Sequence, residues 1–173
     1  MIIVLMGYMA SGKSFIGKDL ASKLNYNFVD LDDYIEDKEG NTISTIFESS
    51  GEIYFRKIET RYLKEVLDSK TNMVLSLGGG TPCYGNNLDL IKNNPKIVSF
   101  YLKTSINTIV SRLENEKSKR PLVVRFKSKE ELQEFIGKHL FERNHFYNQA
   151  SFTIKNDDAL IEDIVEDIIV KLF

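Results

Sequence analysis

The chain has 173 residues, a length that fits one domain and can bury about 70% of the surface an unfolded chain exposes. Its 23 basic and 25 acidic residues give a formal charge of -2, which excludes a generic basic nucleic-acid coat and a polybasic membrane binder. One cysteine, Cys83, excludes a disulfide framework and a thiolate zinc site, and His139 and His145 do not have the i, i+4 spacing of a helical zinc pair. No run of about 18 apolar residues is present, so no membrane helix is expected. A cytoplasmic monomer without nucleic-acid or membrane partners is the simplest expectation.

Residues 2–6 are apolar but lack a basic leader, and they run into glycines and Lys13, so they read as a first strand. Ile16, Leu20 and Leu24 then recur at helical spacing. Residues 28–29 read as a second strand. Residues 32–68 carry helical patterns with no strand between, and Ser49 with Glu52 fits a helix start. Residues 73–77 and 97–102 are the third and fourth strands. Residues 114–127 are charge-dense and broken by Pro121, which predicts a loop long enough to act as a lid. Ser128 with Glu131 is a capping box opening a helix over 129–147, residues 151–154 are a fifth strand, and apolar spacing from Ile161 to Leu172 predicts a final amphipathic helix. Several strands are continuously apolar, as expected where a parallel sheet is covered on both faces. Strand and helix in alternation predict an α/β fold with a mainly parallel sheet.

Residues 7–14, GYMASGKS, match G-x-x-x-x-G-K-[ST] between a strand and a helix. That is the context a phosphate-binding loop requires: backbone N–H groups and the helix start point at phosphate oxygens. Gly7, Ala10, Ser11, Gly12, Lys13, Ser14 and Phe15 form the candidate nucleotide-binding set. Lys13 would reach the β- and γ-phosphates of a nucleotide, and the Ser14 hydroxyl would sit on Mg²⁺. Gly17 instead suits close helix–sheet packing.

Asp30 and Asp32 end the second strand. In an extended chain they point the same way, one toward Mg²⁺ and one toward an acceptor hydroxyl; capping is the competing reading and fits Asp33 with Glu36 best. Arg56, one turn from both Glu52 and Glu59, is either a surface ion-pair residue or a planar fork for a carboxylate. Gly78, Gly79 and Gly80 are either a tight turn or a loop that something approaches closely, at the strand end where α/β folds bind ligands. Arg120 in the lid segment and Arg143 late in the 129–147 helix are basic surface residues or anion contacts.

In order and spacing, the 7–14 loop, the Asp30–Asp32 pair, the G-E-x-x-F-R-x-x-E run over 51–59, the triple glycine, Arg120-Pro121-Leu122, and Arg143 with Tyr147 resemble the shikimate kinase family over nearly the whole chain. The resemblance implies a three-layer P-loop kinase fold with five parallel strands in order 2-3-1-4-5, as one domain over 1–173. It implies an acceptor-binding helical insertion over 32–61 and a lid over 114–127. It implies transfer of the γ-phosphate of ATP to the 3-hydroxyl of shikimate, with Lys13, Asp32 and Arg120 catalytic. Asp32 would contact the acceptor hydroxyl, Arg56 and Arg143 the carboxylate, and Gly78, Gly79 and Gly80 the ring hydroxyls. Phe47, Phe55 and Glu59 would line or brace the pocket, Asp30 would hold Mg²⁺ through water, and Arg120 would touch the phosphates. Two departures concern adenine: Leu113 fills the family's arginine position before the lid, with Arg112 adjacent, and residues 155–158 are acidic where many relatives are basic. A gluconate or nucleoside monophosphate kinase and a non-catalytic nucleotide switch are the competing readings.

Overall fold

The computed structural model describes residues 1–115, 126–157 and 159–173. Among these, five strands form one parallel sheet in the order β2-β3-β1-β4-β5. Strand β1 (Ile2–Met6) lies at the centre, between β3 (Met73–Ser76) and β4 (Ile97–Lys103), and is buried along its whole length. Strands β2 (Asn27–Asp30) and β5 (Phe152–Lys155) are the edges.

The pleat divides β1 between two cores. Ile2, Val4 and Met6 enter a large core with α2 (Leu31–Glu39), α3 (Ile43–Leu67), α4 (Asn87–Lys92), α5 (Ile106–Asn115) and α6 (Lys129–Tyr147). Ile3 and Leu5 enter a smaller core with Ile16, Leu20 and Ala21 of α1 (Lys13–Leu24) and Ile164, Val165 and Ile168 of α7 (Ile161–Leu172). Two-sided covering is why β1 and β3 read as unbroken apolar runs. Gly17 carries α1 close to the sheet: a Cβ there would lie 2.5 Å from the Phe28 ring and 3.3 Å from Leu5.

Three local expectations need correction. The chain does not stay extended past β2; Leu31 begins α2, and Asp30 is its cap, accepting from the Asp32 N–H at 3.1 Å. Asp30, rather than Asp33, therefore satisfies the orphan donors of the first turn. Ser49 does not cap a helix at Glu52: its hydroxyl donates to the Thr45 carbonyl, and Thr42 caps the start of α3. The break in α3 is at Gly51, at φ 79° and ψ 172°, which L residues rarely adopt. It redirects the second half of the helix, which carries Phe55, Arg56 and Glu59. Finally, β3 ends at Ser76, although the Leu77 N–H still bonds to the Leu5 carbonyl. The 129–147 helix and its Ser128 cap are as expected, Ser128 Oγ accepting from the Glu131 N–H at 3.1 Å.

Candidate active site

The site lies at the carboxyl ends of the strands, where an open parallel sheet leaves its crevice. At the end of β1 the chain turns through Gly7 (φ 151°), Ala10 (φ 59°) and Gly12 (φ 84°), and Gly12 caps α1. A Cβ on Gly7 would meet the Leu102 carbonyl at 2.9 Å. Ala10 holds a left-handed conformation that costs a non-glycine residue about 1–2 kcal/mol. The Lys13 ammonium is almost wholly buried and donates to the Gly7 and Tyr8 carbonyls, each at 2.9 Å. Asn156, buried after β5, donates to the Ser11 carbonyl from across the loop.

Ser14 Oγ donates to Asp30 Oδ2 at 2.6 Å. Hydroxyl and carboxylate are hard oxygen donors, and such a pair suits Mg²⁺, which commonly takes one or two protein oxygens and completes its shell with phosphate and water. Among the described residues no cluster of three or more His, Cys, Asp or Glu could hold a metal without such help.

Asp32 is the second residue of α2, in its first turn, so it shares the cleft with Asp30 by helix geometry rather than by strand alternation. Burial, followed by the neighbouring Asp30 and Glu59 carboxylates, lifts its pKa to about 7 against the opposing pull of Lys13.

The glycine loop after β3 is where the segments meet. A Cβ on Gly78 would lie 2.8 Å from Asp32 Oδ1 and 3.4 Å from Glu59 Oε1. On Gly79 it would lie 3.4 Å from the Met9 amide and 3.6 Å from Arg143 Nη1, and on Gly80 2.8 Å from Arg56 Nη2. Each glycine thus leaves room for a different partner, which explains three in a row. Tyr147 OH, from the end of α6, donates to the Gly79 carbonyl.

Arg56 is tied into the same loop. Its Nη1 donates to Glu59 Oε2 at 2.8 Å, while the other Glu59 oxygen accepts from Thr81 Oγ1 at 2.6 Å. Glu59 is 1% exposed, so this carboxylate is structural support as well as a counter-ion. Burial works against the charge of Arg56, but Glu59, with Tyr84 and Glu52, outweighs it and holds the guanidinium pKa above its ordinary value. The ion-pair reading of Arg56 holds: it pairs with Glu52 at 3.4 Å and with Glu59, and its guanidinium also borders the glycine loop at Gly80. Phe47 and Phe55 pack 4.6 Å apart beside it.

A cleft of about 460 Å³ joins Lys13, Ser14, Phe15, Asp30, Asp32, Gly79 and Arg112. Arg56 borders a second hollow with Glu52 and Tyr84, so the two are linked through Glu59 and the glycine loop rather than by one continuous lining. Arg112, not the core residue Leu113, faces the cleft; it donates to the carbonyls of Ala10, Asn156 and Asp157. Arg120, most of the 114–127 segment and Asp158 lie outside the described residues. Sequence reasoning did not find Asn156, Thr81 or Tyr84, because a single polar or aromatic residue in a loop carries no periodicity.

The model of the family described as shikimate kinase matches residues 9–173. A shikimate kinase of Flavobacterium psychrophilum is 48% identical over 171 residues, covering 99% of this chain and 98% of the relative. A crystal structure of shikimate kinase from Bacteroides thetaiotaomicron superposes with a TM-score of 0.91 at 35% identity, covering 99% of this chain and 98% of the other. A shikimate kinase from Acinetobacter baumannii in complex with shikimate gives 0.85 at 32%, covering 99% and 92%.

Proposed function

The chain belongs to the shikimate kinase family, and from that premise we propose how its own residues divide the work. The reaction transfers the γ-phosphate of ATP to the 3-hydroxyl of shikimate, giving shikimate 3-phosphate and ADP, a step of aromatic amino-acid biosynthesis. Phosphoryl transfer through a loose transition state asks mainly for alignment and charge neutralisation.

The loop amides over residues 7–15 and Lys13 hold the phosphates. Ser14 directly, and Asp30 through water, would hold Mg²⁺, which supplies charge neutralisation on the β- and γ-oxygens when bound. Asp32 accepts a hydrogen bond from the 3-hydroxyl and aims its oxygen at the γ-phosphorus. Arg56 and Arg143 grip the substrate carboxylate, and Gly78, Gly79 and Gly80 approach the ring hydroxyls. Arg112 walls the adenine end. Arg120, outside the described residues, is the residue the family resemblance assigns to offsetting charge on the departing ADP, with 114–127 as the segment it assigns to excluding competing water. Residues 32–61 are the acceptor-binding part of a single domain over 1–173, which acts as a monomer in the cytoplasm, where ATP is available.

The observation that carries this reading is the chain of contact from Lys13 to Arg56. A half-buried carboxylate, Asp32, stands between a phosphate loop and an arginine with the geometry to read a carboxylate. The test is ADP release with ATP, Mg²⁺ and shikimate, against gluconate, nucleoside monophosphates and no acceptor. Release with shikimate alone supports the assignment; equal release with every acceptor refutes it.

A further inference from the structure

Arg56 uses its guanidinium edge on Glu59 and Glu52, yet a long flexible side chain is not fixed by edge contacts alone. Its face is occupied as well. The Tyr84 ring lies with its centroid 3.8 Å from Arg56 Cζ, while the Phe55 ring is 5.1 Å away on the same helix. A guanidinium face carries no N–H, so stacking consumes none of its hydrogen-bonding capacity and fixes the plane in which all five donors lie.

The ring is held in place by the loop that bears it. The Cys83 N–H bonds to the Gly80 carbonyl at 2.9 Å, and the buried Asn87 side chain donates to the Thr81 carbonyl at 2.9 Å. Gly85, at φ 55°, turns the chain directly after Tyr84. Gly80 completes the fit, since a Cβ there would strike the guanidinium.

We propose that Tyr84 is a positioning residue that sets the plane of the Arg56 guanidinium and so aligns the N–H donors left over from Glu52 and Glu59 with the planar carboxylate of the acceptor. The proposal rests on the reading of Arg56 as a carboxylate clamp. Tyr84 touches no reacting atom; its effect passes through Arg56, on acceptor affinity rather than on the chemical step. The ring face, not the hydroxyl, is what matters, so phenylalanine serves and an aliphatic or amide side chain does not.

The test is steady-state kinetics of wild type, Tyr84→Phe, Tyr84→Leu and Tyr84→Gln, each also combined with Arg56→Ala. Tyr84→Leu and Tyr84→Gln should raise KM for shikimate about fivefold to tenfold, the scale of a partly desolvated cation–π contact, with kcat and KM for ATP nearly unchanged. Tyr84→Phe should stay close to wild type. With Arg56→Ala already present, removing the ring should add nothing. Three results overturn the proposal: an unchanged shikimate KM in both the Leu and Gln variants, a Phe variant as impaired as they are, or a persistent effect in the Arg56→Ala background, which marks a merely structural role. If Arg56→Ala alone leaves KM unchanged, the clamp reading falls first and the proposal with it. A wild-type protein inactive on shikimate removes the function itself.

Discussion

The two ends of the proposed site, the phosphate cleft and the acceptor side joined to it by the glycine loop, are built differently. The phosphate end comes from one contiguous segment, residues 7–15, shaped by three positive-φ residues and a helix start. The acceptor end is assembled from α2, the second half of α3, the loop after β3, and α6, which meet around three glycines. A contiguous site is fixed by local backbone geometry; an assembled one depends on packing between elements distant in sequence. Damage at the first end should therefore stop chemistry, whereas damage at the second should divide into separable effects on turnover and on affinity.

The largest effect is expected for Lys13→Met: about a thousandfold loss or more in kcat/KM, because the cation holds the loop carbonyls and, on the proposed reading, would neutralise the transferring phosphate. Asp32→Asn should follow, with kcat falling about a hundredfold and nucleotide affinity kept, as seen by nucleotide titration. Unchanged turnover in that variant would remove Asp32 from the mechanism. Arg56→Ala should raise KM for shikimate at least about tenfold and leave KM for ATP alone, since it strands a carboxylate partner. If both constants move together, the two ends are not separable. Gly80→Ala should act in the same direction and more weakly, several-fold in KM for shikimate, because the new methyl displaces the Arg56 guanidinium without removing it.

The smallest expected effect is on stability. Asp32 has its pKa raised to about 7, so between its ordinary value near 4 and about 7 the folded protein binds a proton that the unfolded chain has released. Stability contributed by the protonated form is present at low pH and is lost as pH rises through that window. Ligand-free wild type should lose Tm from pH 5 to 8, by roughly a few degrees, and Asp32→Asn should flatten this slope and melt higher at pH 8. Parallel melting profiles for the two proteins would contradict the buried-carboxylate account.

Legibility follows the same division. The strand–loop–helix context of residues 7–14 was plain because loop, strand and helix are adjacent in sequence. The continuous apolar strands announced a two-sided parallel sheet, and the cap at Ser128 placed the start of α6. The helical face of Asp32 was not legible: alternation along an extended chain predicts the same direction for Asp30 and Asp32, and the cap at Asp30 reaches that result by a different route. Arg56 stayed balanced between a surface ion pair and a substrate contact because both need the same i, i+3 and i, i+4 neighbours. Its contact with Gly80 and Tyr84, distant in sequence, is visible only in the folded chain and supports the proposed carboxylate clamp.

By itself the sequence determined the α/β class, the phosphate loop, the order of the elements and the chemical types available at the site. These follow from periodicity, glycine placement and short-range spacing, all local properties of the chain. Tertiary structure decided which charged residues share an environment. Burial lifts Asp32 to about 7, Glu59 ties Arg56 to Thr81, Arg112 rather than Leu113 reaches the cleft, and Tyr84 lies against a guanidinium 28 positions earlier. The physical reason is that desolvation and through-space charge depend on what packs around a group, and a chain folded through four parallel crossovers brings those neighbours from segments that no local pattern connects.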